Sequence, residues 1–177
     1  MEKKRSFKVH LAKLVLYANL GTLMFISKIL LEWAPNVHLL GALTMIYTVA
    51  FGAEALIPIY VYVFMNGLFA GFSTWWIPYL YVWTVLWGIT MLLPKNMSAK
   101  AAVPVYIAVC ALHGLLFGTL YAPVQALMFG FNFKQTLAWI ASGFWFDVVH
   151  AIGNFCFGAL IYPLSHFLIK MKSKYLA

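Results

Sequence analysis

The chain has 177 residues, of which 64% are hydrophobic and only 9% are charged. A soluble domain carries about 25% charged residues to cover its surface, so this composition excludes a soluble globular protein and predicts helices that face lipid. The formal net charge is +8, but the basic residues flank apolar runs and form no basic face, which argues against nucleic-acid binding.

Six apolar stretches, separated by Pro, Gly, Asn and charged residues, are predicted to cross the membrane as helices. A helix needs about 20 residues to cross roughly 30 Å of hydrocarbon. In chain order, the predicted spans cover approximately residues 11–31, 37–51, 55–70, 75–93, 101–122 and 133–168. The predicted fold class is therefore an all-α integral membrane protein, a compact bundle of about six transmembrane helices in one domain over residues 1–177.

Three prolines bear on the boundaries of these spans. Pro58 is expected to bend the short third span, Pro123 follows the predicted end of the fifth, and Pro163 is expected to kink or break the last turns of the sixth. The first span follows a basic segment, as a signal peptide would. No small-residue cleavage site precedes the second span, so the first is interpreted as a retained helix.

The distribution of Lys and Arg predicts the orientation of the bundle. With the N-terminus in the cytoplasm, ten basic residues lie on the cytoplasmic side and two, Lys28 and Lys134, lie outside. Such an excess is typical of cytoplasmic segments, and an even number of spans returns the C-terminus to the cytoplasm as well. Four tryptophans then fall near the outer interface, as an aromatic belt requires: Trp33, Trp75, Trp76 and Trp139.

Ionisable residues deep inside a span are energetically costly, so they are functional candidates by default. Asp147, His150 and Asn154 share one face of the sixth span at i, i+3 and i+7, and His113 reaches a similar depth on the fifth. These side chains either contact a solute or pair with one another to hold helices together, and the sequence leaves both interpretations open. The fifth span also carries small residues that let another helix approach closely: Gly114, Gly118 and Ala122.

A dense aromatic segment begins the fourth span. Tyr79 and Trp83 lie one turn apart and can present ring surface and polar tips to a flat organic solute. Trp76 is a further candidate, although interfacial anchoring explains it equally well. Asn66, near the outer end of the third span, is a weaker candidate for solute contact.

Other kinds of chemistry are less well supported. His113, Asp147 and His150 include metal-ligand types, but the sequence has no H-E-x-x-H pattern and no further acid inside the spans to act as a base. Ser142 lacks the G-x-S-x-G context of an activated nucleophile. We therefore expect no enzyme activity, no metal site and no cofactor. The sequence also has no nucleotide-binding P-loop, so an ATP-driven step would need a partner protein.

The whole pattern resembles the substrate-binding S components of energy-coupling factor (ECF) transporters. The shared features are six short spans, both ends in the cytoplasm, no ATPase, and a polar face on the last span beside outer aromatic residues. Pro35–Gly41, Ala55–Val61 and Trp76–Trp83 look like segments of uncharacterised bacterial members. The resemblance implies a cell-membrane subunit that binds a vitamin or similar micronutrient with high affinity. A transmembrane coupling protein and two ATPase subunits would power import.

The resemblance also implies a binding site in the outer half, capped by the loops after the first and third spans, which adds His38 to the candidates. One feature departs from the family. Its members often carry an A-x-x-x-A stripe on the first span, where the coupling protein docks, whereas this chain offers only Ala18 and Thr22 at that spacing. The main alternative is a structural or regulatory membrane protein without a transported ligand, followed by an intramembrane metalloenzyme.

Overall fold

The computed structural model describes residues 2–175, with side chains from residue 9 onward, and this part of the chain is helical apart from its connections. A short 3-10 turn over Gly52–Ala55 joins the second helix to the third. The α-helices are α1 Glu2–Leu30, α2 Leu40–Phe51, α3 Leu56–Ala70, α4 Tyr79–Leu92, α5 Ala99–Leu115, α6 Phe117–Phe129, α7 Phe133–Gly158 and α8 Ile161–Tyr175. The all-α fold class predicted from the sequence is confirmed.

Four helical stretches are long and apolar enough to cross a membrane: Val9–Leu30, Leu40–Ala70, Ala99–Phe129 and Phe133–Gly158. A fifth apolar helix, Tyr79–Leu92, is shorter. Large apolar side chains also cover the outside of the bundle; Leu127 is 83% exposed and Trp145 is 70% exposed. An apolar surface of this extent suits contact with lipid and agrees with a membrane protein.

The Leu40–Ala70 stretch reverses direction at the 3-10 turn. In α2, the Tyr47 hydroxyl donates to the carbonyl of Leu20 in α1. In the turn that follows, Glu54 accepts a hydrogen bond from Lys13, which lies earlier in α1. The end of α3 instead packs against Phe25. Because α2 descends along α1 and α3 ascends along it, the two form an antiparallel pair. α2 and α3 are each shorter than the helix of about 20 residues that crosses the hydrocarbon, although a straight 31-residue helix would exceed that length.

Three polar contacts hold this turn. The Lys13 ammonium lies 2.8 Å from the Glu54 carboxylate, and the Tyr17 hydroxyl donates to the other carboxylate oxygen at 2.5 Å. Gly52 has φ +62°, a left-handed backbone conformation that glycine adopts without the steric cost of a Cβ. The Trp87 indole N–H donates to the Gly52 carbonyl, which attaches the turn to α4.

The most extensive helix contact in the fold joins α5 and α6 to α7. α5 and α6 continue one another with a break at Leu116, where φ and ψ are −96° and 5°. They run antiparallel to α7, from Gly158 against Ile107 at one end to Tyr121 stacked on Trp139 at the other. This pair of rods forms one wall of the bundle.

The small residues of this wall lie where the two rods approach most closely. A Cβ added at Gly114 would come within 2.9 Å of the His150 carbonyl oxygen, and one added at Gly118 would come within 2.5 Å of Asp147 Oδ2. Ala122, the third member of the stripe, is buried. At position 114 a side chain would meet the backbone of α7, so only glycine fits there, whereas at position 118 the Asp147 carboxylate would have to move.

Several helix boundaries differ from those predicted. The fifth helical stretch continues through Pro123 to Phe129, since a proline removes one hydrogen bond but does not force a membrane helix to end. The predicted sixth span divides after Gly158, before Pro163. Pro163 and Pro58 therefore lie in the first turns of α8 and α3, where the missing N–H has no helical partner to lose.

Two further helices start later than predicted, so the connections at one end of the bundle are longer. α2 begins at Leu40 rather than residue 37, and α4 begins at Tyr79 rather than residue 75. We call this end, with the connections 31–39, 71–78 and 130–132, the loop face. The opposite end, with the Gly52–Ala55 turn, the 93–98 connection and the end of α8, is the terminal face.

α2 is the central helix of the bundle. Eleven of its twelve residues are buried, and it contacts α4, α5, α7 and α8. Its start lies under the 31–39 connection, so the core and the loop face meet there. The candidate site lies at this junction.

Candidate functional site

Three histidines and one tryptophan from four different segments meet beneath the loop face. His38 comes from the 31–39 connection, Trp83 from α4, His113 from α5 and His150 from α7. The Nε2 atoms of His38 and His150 lie 3.0 Å apart. The Trp83 ring is 5.9 Å from the His38 ring and 5.8 Å from the His113 ring, measured between centroids. We call these four residues the His–Trp cluster.

Each ring of this cluster has a buried nitrogen without a hydrogen-bond partner among the described residues. These atoms are Nδ1 of His38, His113 and His150 and Nε1 of Trp83. A buried polar group that lacks a partner costs about 1–3 kcal/mol, so a protein interior rarely holds several together. The cluster is therefore a concentrated reserve of hydrogen-bonding capacity inside the bundle.

The bonds that the cluster does make determine what the free nitrogens can offer. His113 Nε2 lies 3.1 Å from the Val82 carbonyl oxygen, so in a neutral ring this nitrogen carries the proton and Nδ1 is an acceptor. In the His38–His150 pair, one Nε2 donates and the other accepts. When both rings are neutral, the histidine that donates through Nε2 has a free Nδ1 acceptor. The histidine that accepts at Nε2 has a free Nδ1–H donor. With the Trp83 N–H, the cluster offers two donors and two acceptors.

The 31–39 connection covers this cluster. Asn36 has φ +63°, a left-handed conformation that asparagine tolerates better than most residues. This bend lets the connection turn back so that His38 points into the bundle, while Trp33 at its outer side is 81% exposed. Because His38 is the only cluster member outside the helices, movement of this connection would uncover the other three.

Two adjoining cavities open beside the cluster, and both are lined by Asn36, Phe117 and His150. The first, of about 240 Å³, lies under the 31–39 connection, with Lys28 and Glu32 at its rim. The second, of about 210 Å³, lies between α6 and α7. Together they reach the size of small-molecule sites, about 300–1,000 Å³.

Aromatic rings form the walls of this region. Tyr79 and Phe117 each lie beside Trp83, with centroids 5.9 and 5.8 Å away, and Phe117 lies 4.8 Å from the His150 ring at an interplanar angle of 33°. Tyr121 stacks on Trp139 at 16° in the second cavity. Flat ring surface next to unpartnered polar nitrogens suits a planar solute with polar edges.

Asp147 lines the second cavity but also has a partner in the protein. Its Oδ1 accepts the backbone N–H of Gly118 at 2.9 Å. The break at Leu116 makes this bond possible, because the first N–H groups of α6 have no carbonyl one turn earlier to bond. A carboxylate at a helix start is also favoured by the helix dipole. This contact ties α7 to α6.

Asn154 lies below the cavities and connects the same two rods. Its side-chain Nδ2 donates to the Cys110 carbonyl at 3.0 Å, and the side chain fills the space between Gly41 and Gly114. Asn154 therefore contacts α2, α5 and α7 at once but lines neither cavity. The face predicted from i, i+3 and i+7 spacing divides in the structure, since His150 faces the cavities and Asn154 faces the core.

Asn66 and Trp76 lie away from the cavities. Asn66 is fully buried on α3, and neither its amide nitrogen nor its amide oxygen has a partner among the described side chains and backbone. Tyr62, one turn earlier and 6.2 Å from the Trp83 ring, has an unpartnered hydroxyl. Trp76 instead donates its indole N–H to the Val63 carbonyl at 2.8 Å and supports the 71–78 connection.

The two residues proposed for partner docking lie one turn apart on α1 and differ in exposure. Ala18 is exposed, whereas Thr22 is partly covered by α3. The Thr22 hydroxyl donates to the Ala18 carbonyl at 2.9 Å and lies 3.7 Å from the sulfur of Met65. A partner helix that approached this stripe would meet Ala18 directly and Thr22 only at its edge.

Two site residues were missed by reasoning from the sequence. Phe117 and Tyr121 follow His113 at i+4 and i+8, so one helical face carries all three rings despite the break at Leu116. That spacing was available in the sequence as a signal.

No group of three or more His, Cys, Asp or Glu side chains within the described part of the chain is arranged to hold a metal ion. The sequence matches no protein-family model, no curated protein is significantly similar to it, and no solved structure matches its fold.

Proposed function

We propose that this protein is the membrane-embedded solute-binding subunit of an ECF-type importer. It would take up a vitamin or similar micronutrient, while a transmembrane coupling protein and two ATPase subunits supply the energy. The chain would pass between the two faces of the cell membrane six times, through α1, α2, α3, α4, α5–α6 and α7–α8, with both ends in the cytoplasm. α2, α3 and α4 are each shorter than a full span and would reach the faces together with the connections at their ends. The loop face would then face outward, because ten of the twelve basic residues belong to the other side.

One observation carries the proposal: four unpartnered ring nitrogens lie together under the 31–39 connection, and two of the four rings, those of His38 and His150, line the adjoining cavities. Packing alone does not explain them, because apolar side chains of similar shape would fill the same space without the cost of unmade hydrogen bonds. A ligand that pairs with these nitrogens would recover that cost. Cavities at helix junctions with a few convergent polar groups are typical binding sites.

The chemistry of the site favours a planar solute that carries both hydrogen-bond donors and acceptors on its edges. Tyr79, Phe117, His38 and His150 line the cavities. Trp83 and His113 pack behind these rings and complete the set of two donors and two acceptors. Lys28 and Glu32 at the rim add one charge of each sign. The same set of partners would suit a nitrogen heterocycle with a polar substituent.

Binding would require no covalent chemistry. The solute enters from the loop face, displaces His38 from His150 and exchanges the bond between their Nε2 atoms for its own. The 31–39 connection then closes over it. Movement of the bundle relative to the partner subunits would release the solute on the other side.

The first test is mass spectrometry of small molecules that co-purify with the detergent-solubilised protein. Trp83→Phe keeps most of the ring and removes the free N–H, so we expect it to reduce affinity about 3–10-fold, the effect of one hydrogen bond. Trp87→Phe is the matched control on the same helix, because its N–H is already bonded to Gly52. The control should retain the ligand.

A structural or regulatory role is the second candidate, and the bonds of Asp147 and Asn154 to backbone groups of α6 and α5 favour it. It predicts that no specific compound co-purifies and that a broad panel of solutes leaves the melting temperature unchanged. Either a ligand lost from both tryptophan variants or a complete lack of ligand would contradict the solute-binding proposal as stated.

A further inference from the structure

A third and larger cavity lies at the terminal face, remote from the His–Trp cluster. It has a volume of about 410 Å³ and is enclosed by the end of α2, the 93–98 connection and α8. Three of its lining side chains are basic types, Lys95, His166 and Lys172, and none of them is acidic. Its volume lies within the range of small-molecule sites.

The lysines of this cavity are free to meet an anion. Lys172 Nζ lies 5.6 Å from the centre of the Phe51 ring and 3.5 Å from the Ala50 carbonyl oxygen, which fixes its position at the end of α2. Neither Lys95 nor Lys172 forms an ion pair within residues 9–175. Glu54, an acid at this end of the bundle, is bonded to Lys13 and lies near enough to Lys172 for the two charges to attract each other.

An apolar groove adjoins the basic cavity. It has a volume of about 160 Å³ and runs between α1 and α8, where Leu16, Leu168 and Met171 line it. Phe51 and Lys172 line both the groove and the cavity. A basic chamber therefore continues into an apolar channel, with one lysine at the junction.

We propose that this pair of cavities binds an anionic phospholipid. The phosphate-bearing headgroup would lie between Lys95 and Lys172, and an acyl chain would follow the groove. Charge complementarity favours a phosphate over a zwitterionic headgroup, since the lining residues that the structure describes include two lysines without an ion pair and no carboxylate. The groove favours a lipid over a soluble phosphate, because only a lipid covers its apolar wall. Basic pockets between membrane helices are known to select anionic lipids.

The test is native mass spectrometry of the full chain in detergent with phosphatidylglycerol or phosphatidylcholine added. We expect the wild type to retain one phosphatidylglycerol and little phosphatidylcholine. The Lys95→Gln, Lys172→Gln double variant should lose affinity for phosphatidylglycerol roughly 30-fold, since each lysine near an anionic lipid contributes about a fivefold factor. Lys100→Gln, Lys134→Gln is the matched control: it removes the same charge outside the cavity and should bind as the wild type does.

Three outcomes would overturn this proposal. Equal retention of the two lipids would show that the site does not distinguish an anionic headgroup from a zwitterionic one. An equal loss in both double variants would show that net charge alone matters. Displacement of phosphatidylglycerol by millimolar inorganic phosphate at constant ionic strength would identify a soluble phosphate as the ligand. If the double variant does not fold, Lys95→Gln alone gives the same comparison, because Lys95 is exposed.

Discussion

Asp147 and the histidines of the His–Trp cluster lie close together in the bundle, but they differ in whether their polar atoms have hydrogen-bond partners. Asp147 bonds the start of α6 through Gly118, whereas His113 and His150 each retain an unpartnered nitrogen. A group with its partner in place adds stability, and a group without one costs stability unless a ligand binds it. The costly residues are therefore the better candidates for solute recognition.

Replacing Asp147 should affect stability according to whether an acceptor remains. Asp147→Ala leaves the Gly118 N–H without its partner, so we expect a loss of about 1–3 kcal/mol in the free energy of unfolding. Asp147→Asn keeps a side-chain oxygen and should lose less. Thermal unfolding of both variants in detergent measures the difference. Equal stability of the two variants would mean that the bond to Gly118 contributes nothing.

At the scale of the helices, close approach of α5 and α7 brings the cluster together. His113 and His150 belong to these two rods, and glycine at position 114 is what lets the rods come near enough. The break at Leu116 then gives α6 its own start, which Asp147 bonds. The geometry of the site is thus a consequence of small residues and one helix break.

Gly114→Ala should therefore destabilise the bundle. The added Cβ would lie 2.9 Å from the His150 carbonyl oxygen, which moves only if α7 moves, and such overpacking costs about 1–3 kcal/mol. Gly88→Ala on α4 is the matched control, since a Cβ there meets no atom within 4 Å. The control should gain up to about 1 kcal/mol from helix propensity. Melting temperatures that shift in the same direction would contradict this account.

For the whole molecule, the two faces of the bundle differ in charge and in form. The terminal face has the tight Gly52–Ala55 turn and most of the basic residues, while the loop face has longer connections and the two cavities beside the cluster. Positive charge is retained on the cytoplasmic side of membrane proteins. An outward loop face would let a solute reach the cluster from outside the cell.

Cysteine labelling in intact cells tests this orientation. In a chain with Cys110→Ala and Cys156→Ser, a membrane-impermeant maleimide should label Trp33→Cys, which occupies an 81% exposed position on the loop face. Lys95→Cys, on the terminal face, should be labelled only after the cells are permeabilised. The reverse pattern would place the cluster on the cytoplasmic side and would exclude uptake from outside by the proposed route.

His113 and His150 were accessible from the sequence because polar residues in apolar spans stand out. Tyr79 and Trp83 were candidates as part of a dense aromatic segment, and His38 was a candidate only through the family resemblance. The structure brings all five to one place. Periodicity could not distinguish His150 from Asn154, since both lie on one broad face of α7. Which of them meets a cavity depends on where α2 and α5 pack against that face.

The sequence by itself determined the all-helical fold and its suitability for a membrane, because composition and the lengths of apolar runs report directly on contact with lipid. Tertiary structure decided where Leu40–Ala70 reverses, how α5–α6 bends, and which polar groups find partners. The physical reason is that the suitability of a segment for lipid is a local property of its composition and length. Hydrogen-bond partnership is a property of pairs that are far apart in the chain, as His38 and His150 are.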